Sequence, residues 1–260
     1  QMIDFSKIKS KKEVGKCFDY AILPKQTTEQ TIRDCCKEAI KYNCKAFCFS
    51  SSYWTPIVAE ELKGTDILVG AAIGFPFGQQ TSAVKAFETE EAVRMGATVL
   101  DNCMNVGALK DKRYDEIKQE FKEYVEAAQG VMTKMIIEVC YLTDDEIKAA
   151  CELCIEAGID WVKSSTGQYA GPTLEQVILM ADCCKGTNTR VKVSGVKDPR
   201  PQNAYVFLRA GADLIGTRQA PQIIDSFDTI SINSPPEIVY KIAITAPKKP
   251  AAAAAPVTAL

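Results

Sequence analysis

Gly158-Ile159-Asp160-Trp161-Val162-Lys163-Ser164-Ser165-Thr166-Gly167 is the stretch that decides the fold. Gly158 follows the last periodic turn of an amphipathic segment, where a residue free to adopt positive φ ends a helix. Trp161 to Lys163 is a short apolar run that reads as a strand, and the hydroxyl residues and Gly167 then turn the chain. The same grammar recurs on both sides. Gly96-Ala97 leads into one short apolar run and Gly211-Ala212 into another.

Working outward, the chain alternates short apolar runs with longer amphipathic ones. The pattern predicts strands at 18–22, 46–49, 67–72, 98–102, 134–139, 161–163, 191–194 and 214–216. Helices are expected at 28–42, 55–62, 82–95, 114–128, 143–157, 173–184 and 201–210, with a shorter one near 221–227. Thr143-Asp144-Asp145-Glu146 and Thr173-Leu174-Glu175-Gln176 have the capping-box pattern of a helix start. Eight strand–helix repeats fit a (β/α)₈ TIM barrel, whereas a doubly wound sheet usually needs five or six strands. No G-x-G-x-x-G follows the first strand, which argues against a dinucleotide fold. The expected organisation is an N-terminal extension over 1–17, a barrel over 18–227 and a C-terminal tail over 228–260. The tail's Ala/Pro/Lys composition has no periodicity.

The 260 residues are 47% apolar and carry a net charge of −2, enough to bury a full core. Basic residues are dispersed, so neither a nucleic acid nor an anionic membrane surface is an expected partner. No run reaches the length of a membrane span. The first sixteen residues hold five lysines and no apolar run, unlike a secretory signal. The chain has no histidine, which removes Ser-His and Cys-His nucleophile pairs and histidine metal ligands. Eleven cysteines are too few and too odd in number for a disulfide scaffold in a chain this long. Cys151 and Cys154 form a C-x-x-C within a predicted helix and have no second pair, so no metal site is expected. A cytoplasmic, reducing setting follows.

Chemistry concentrates at strand ends. Lys163 and Lys192 lie twenty-nine residues apart in matching settings, the second being Val191-Lys192-Val193-Ser194-Gly195. Two amines at adjacent strand ends repel as cations, so one is held neutral and nucleophilic, as Schiff-base chemistry requires. Asp101 and Glu138 also fall at strand C-termini, the catalytic end of such a barrel.

The sequence resembles the 2-deoxyribose-5-phosphate aldolase family, the class I, Schiff-base aldolases, over nearly the whole barrel. The residues that carry the resemblance are Ile73-Gly74-Phe75-Pro76-Phe77-Gly78, Val84-Lys85-Ala86-Phe87-Glu88, Ile136-Ile137-Glu138 and Cys140-Tyr141-Leu142-Thr143. Both lysine motifs and the segment from Ala210 to Thr217 match as well. The resemblance implies that Lys163 forms the imine and that the charge of Lys192 lowers its pKa. It also implies that Asp101 relays protons with Lys192 through a bound water, without cofactor or metal. The expected substrate is a phosphorylated sugar or aldehyde, cleaved to acetaldehyde and glyceraldehyde 3-phosphate. A homodimer is compatible with this reading.

Departures cluster at the substrate end. Tyr20 and Ala21 replace His-Thr after Asp19, and Asn102 replaces an apolar residue after Asp101. The Gly-Gly and Ser-Ser turns of the phosphate cradle read Gly195-Val196 and Gly216-Thr217-Arg218-Gln219. Phosphate contacts are expected from Gly167, Gly195, Lys197, Gly216 and Arg218, with weakened recognition because backbone amides lose their fixed geometry. The tail's only tyrosine is Tyr240. A lyase for a non-phosphorylated aldehyde, or a catalytically impaired barrel that binds a protein partner, are the alternatives this leaves.

Overall fold

Local chemistry sets the helix entries. The hydroxyls of Thr143 and Thr173 accept from the backbone N–H groups of Glu146 and Gln176, whose side chains accept in turn from the threonine N–H groups. Both reciprocal caps satisfy donors that a helix start otherwise leaves orphaned.

The computed structural model describes residues 4–230 together with 233 and 234. The strands are β1 (Phe18–Ile22), β2 (Ala46–Phe49), β3 (Leu68–Ile73), β4 (Val99–Cys103), β5 (Met132–Ile136), β6 (Trp161–Lys163), β7 (Arg190–Ser194) and β8 (Leu214–Thr217). They pair in chain order, all parallel, and β8 closes on β1 through Asp19 opposite Gly216. The helices are α1 (Lys11–Gly15), α2 (Glu29–Lys41), α3 (Thr55–Glu61), α4 (Ser82–Arg94), α5 (Val106–Lys110), α6 (Tyr114–Ala127), α7 (Asp144–Glu156), α8 (Leu174–Cys184), α9 (Arg200–Arg209) and α10 (Ala220–Asp225). The TIM barrel expected from the alternation is the fold observed.

Apart from one-residue shifts at the ends of β3, β4, β7 and β8 and the short α1 within the N-terminal extension, two elements near the site differ from the sequence reading. The fifth strand begins at Met132 and ends at Ile136, because the Asp160 carboxylate holds Thr133 through its N–H at 2.8 Å and its hydroxyl at 3.0 Å. Glu138 therefore lies beyond the strand, in the left-handed region at φ 53°. Helix α5 was not foreseen; it is five residues long, and Asn105 Oδ1 caps it through the Ala108 N–H. The final segment, with Tyr240, lies outside the described residues apart from 228–230, 233 and 234.

The main core lies between the barrel and its helices, and Ile8 and Val14 of the N-terminal segment belong to it. Helix α4 breaks the usual pattern. It buries Lys85, whose Nζ donates to Glu120 at 2.7 Å and to the Cys103 carbonyl at 2.8 Å, and it exposes Val84 and Phe87. Inside the barrel, side chains divide by size. Strands β1 to β3 contribute small residues, including Ala46, Cys48 and Gly70, where a Cβ would lie 2.5 Å from Cys48 Sγ. That spare volume admits the long lysines of β5, β6 and β7, at the packing density a folded interior requires.

Candidate active site

Lys163 ends β6, and its ladder partner on β7 is Lys192. Asp101 on β4 stands between their amines: its Oδ2 accepts from Lys163 Nζ at 2.6 Å and from Lys192 Nζ at 2.8 Å. Lys192 Nζ also lies 2.7 Å from Asp19 Oδ2, which accepts from Lys134 Nζ at 2.7 Å. The result is an alternating row, Lys163–Asp101–Lys192–Asp19–Lys134, in which all five side chains are buried. Three cations face two anions, so full ionisation would bury a net positive charge.

Burying an uncompensated charge is costly, and the row relieves it at one end. Burial pushes the Lys163 amine below the ordinary lysine pKa; Asp101 opposes that shift and the charge of Lys192 adds to it. Burial also disfavours the charge on Lys192, but Asp101 and Asp19 together outweigh it and hold that amine well above the usual value. Asp101 is buried as well, yet Lys163, Lys192 and Lys134 keep its carboxyl far below the ordinary range. Asp19 is likewise held down, its burial outweighed by Lys134 and Lys192. A carboxylate shared by two amines cannot hold both as strongly as a dedicated partner would. Lys163 and Lys134, at the two ends of the row, each have only a share of one carboxylate, and of the row's three amines Lys163 is the one that lines the cavity.

Lys163 and Asp101 form the floor of a cavity of about 340 Å³ at the C-terminal end of the barrel. Lys192 is not part of the lining and acts from beneath. One wall is apolar, with Leu23, Phe49, Ala71 and Phe75. The other carries Gly167, Gly195, Gly216 and Arg218 from the sequence reading, and adds Ser194 and Arg200. Lys197 is exposed and stands outside the lining. Arg200 was missed; the available signal was an arginine opening a helix, where the macrodipole repels a cation.

Three glycines, Gly216, Gly195 and Gly171, hold this geometry by lacking a Cβ. At Gly216 a Cβ would lie 2.5 Å from Ser194 Oγ and 2.8 Å from Lys192 Cε, so this glycine makes room for the buried lysine. Gly195 takes φ 77°, and its carbonyl oxygen would be 1.9 Å from a Cβ on Gly171.

Glu138 has a different place from the one its sequence position suggested. Its carboxylate accepts from the Thr166 N–H at 3.1 and 3.3 Å and so fastens the loop that follows Lys163. Burial raises its pKa against those hydrogen bonds. Among the described residues, no cluster of three or more His, Cys, Asp or Glu side chains is placed to hold a metal ion.

The sequence model of the DeoC/LacD family of aldolases matches residues 14–216. The chain is 41% identical over 216 residues to deoxyribose-phosphate aldolase of Clostridium tetani, a match that spans 82% of this chain and 98% of that protein. Its identity to the deoxyribose-phosphate aldolase of Streptococcus sanguinis is 42% over 206 residues, spanning 79% and 92%. Among solved structures, the aldolase QR15 superposes with a TM-score of 0.77 at 36% identity, covering 82% of this chain and 95% of that one. Tetrameric deoxyribose phosphate aldolase from Aeropyrum pernix gives 0.78 at 26% identity, covering 86% and 95%.

Proposed function

The chain belongs to the DeoC/LacD family of aldolases and is a class I, deoxyribose-phosphate aldolase-like lyase; within that activity, we propose that Lys163 is the imine-forming nucleophile and that Asp101 and Lys192 manage its protons. The observation that carries this reading is the buried row of ion pairs that leaves Lys163 short of a full counter-charge at the floor of the cavity.

The neutral Lys163 amine adds to C1 of the open-chain sugar, and loss of water gives the protonated imine. Cleavage of the C2–C3 bond sends its electron pair into the imine and forms the enamine. The C3 hydroxyl loses its proton and becomes the aldehyde of glyceraldehyde 3-phosphate. As the iminium charge disappears, Asp101 loses one of its two cationic neighbours, and its proton affinity rises when a proton must be accepted. Lys192 stays charged throughout and hydrogen-bonds directly to that carboxylate. Return of the proton to the enamine carbon, then addition of water to the imine, releases acetaldehyde.

The cavity supports a phosphorylated substrate. Among the described residues, Asp101 is the only acidic one in its lining and is already paired, while Arg200 and Arg218 also line it. The phosphate end is assigned to their side of the cavity, near Gly167, Gly195 and Gly216. The apolar wall suits a short carbon chain. A homodimer is the assembly proposed, through the exposed Val84 and Phe87 face of α4. The eleven free cysteines favour a reducing, cytoplasmic setting.

Borohydride reduction in the presence of acetaldehyde tests the assignment. A two-carbon adduct is expected on the peptide containing Lys163 and is lost in Lys163→Leu. An adduct confined to other lysines in the wild type refutes it.

A further inference from the structure

Helices α7 and α8 flank the strand that carries Lys163 and pack against each other. Four cysteines meet at that seam. Ile147, Ala150, Cys151 and Cys154 belong to the buried stripe of α7, and Val177, Met180 and Cys184 form that of α8. Cys183 stands at the edge of the second stripe, half-buried, where solvent reaches it. A fully buried cysteine is a small hydrophobe that packs and does not react. That accounts for Cys154, whose thiol burial pushes well above the ordinary range. It does not account for Cys151 and Cys183.

These two thiols are neighbours across the seam, although 32 positions separate them in the chain. Cys151 hydrogen-bonds to Cys183 and also to Cys184, and those bonds, with burial, keep the proton on Cys151. The bond from Cys151 pulls the Cys183 thiol down to about 7, against its partial burial and the charges of Glu152 and Asp182, and Lys148 adds to the pull. Cys183 also lies in the last turn of α8, whose dipole disfavours an anion, so the hydrogen bond works against the helix as well. The outcome is an accessible thiolate beside a protonated thiol, the arrangement of an attacking and a resolving cysteine. Among the described residues no three His, Cys, Asp or Glu side chains are placed to hold a metal ion, so the chemistry open to this pair is oxidation.

We propose that Cys183 and Cys151 are a peroxide-reactive thiol pair that closes to a reversible disulfide between α7 and α8. The Cys183 thiolate attacks one oxygen of hydrogen peroxide and the O–O bond breaks. Cys183 becomes a sulfenic acid, and the hydroxide that leaves takes up a proton to give water. The Cys151 sulfur then displaces the sulfenic hydroxyl, and its own proton goes to the departing oxygen. Two thiols and one peroxide thus give one disulfide and two waters. Joining the sulfurs brings them to about 2.0 Å, and the terminal turn of a helix yields that movement most readily. Reducing thiols reverse the step by exchange. The bond encloses β6 in one covalent loop, so oxidation braces the strand that ends in Lys163.

The test treats the whole folded chain, freed of reductant, with a small excess of hydrogen peroxide and maps its cysteines by peptide mass spectrometry. The expected product is a peptide pair joining Cys151 to Cys183, lighter by two hydrogens and separated again by dithiothreitol. Oxidation should raise Tm by roughly 4 °C or more, a rise absent in Cys183→Ser. In Cys151→Ala, Cys183 should be captured as a sulfenic acid by dimedone. Its alkylation by iodoacetamide at pH 7 should also slow by about fivefold, because the thiolate loses its hydrogen bond while each remaining thiolate gains nucleophilicity. Peroxide that leaves Cys183 reduced while other cysteines react overturns the proposal. So does a disulfide from Cys183 to any other cysteine, or its further oxidation in the wild type without a link to Cys151. An alkylation rate unchanged in Cys151→Ala overturns it too.

Discussion

Gly216→Ala is a small perturbation with a large expected effect, because it places one methyl group against the buried row of ion pairs. The new Cβ would meet Ser194 Oγ at 2.5 Å and Lys192 Cε at 2.8 Å. Ser194 can rotate its hydroxyl away, but Lys192 is held at its amine by Asp101 at 2.8 Å and Asp19 at 2.7 Å. To reach ordinary contact, Cε must retreat from 2.8 to 3.4 Å, a shift of about 0.6 Å that strains both ion pairs. Overpacking of this kind costs about 1–3 kcal/mol. For a domain of this size each kcal/mol lowers Tm by roughly 2–4 °C. A displacement approaching 1 Å in a catalytic group can cost on the order of 10²-fold, so kcat should fall by about 10- to 100-fold. Cleavage of 2-deoxyribose 5-phosphate, followed through released glyceraldehyde 3-phosphate, measures the first effect, and thermal unfolding measures the second. Adding Ser194→Gly removes the nearer clash and should leave kcat low, because Lys192 remains the obstacle. Wild-type kcat and Tm in Gly216→Ala would refute the argument that this glycine exists to accommodate Lys192.

Lys192→Leu should move the rising limb of imine formation to higher pH. The variant loses a like charge beside Lys163 and leaves Asp101 wholly to that amine, and both changes favour the protonated form that cannot attack. Rates of borohydride-trapped adduct across pH check this; an unchanged limb would remove the electrostatic role. Lys85→Met leaves Glu120 largely buried beside a broken ion pair and should lower stability in urea by about 3–5 kcal/mol. Adding Glu120→Leu should restore most of that loss, and failure to do so would place the cost in packing around Lys85.

Periodicity and helix punctuation were enough to read the barrel, because alternating strand and helix patterns are local properties of the chain. β1, β2 and β6 begin and end at the residues the pattern indicates. Lys163 ends β6 as the pattern indicates, whereas Asp101 and Lys192 each stand third of five residues in β4 and β7, short of the strand ends where the sequence reading put them. The misplacement of Glu138 shows where local reading stops. Its strand starts early because Asp160, distant in sequence, captures Thr133, and this moves Glu138 out to fasten Thr166.

The protonation pattern is a tertiary property. Composition can say that an amine must be neutral, but not which one. Closure of the barrel brings Asp19 and Lys134, 115 positions apart in the chain, into one row with the others. That row holds Lys192 between two carboxylates, leaves Lys163 and Lys134 with a share of one each, and brings Lys163 alone of the three to the cavity. The same closure decides the rim, where Arg200 reaches the cavity and Lys197, three residues earlier, does not. Side-chain identity is written in the sequence, whereas dielectric environment, counter-charge and which way a side chain faces arise only when distant strands meet.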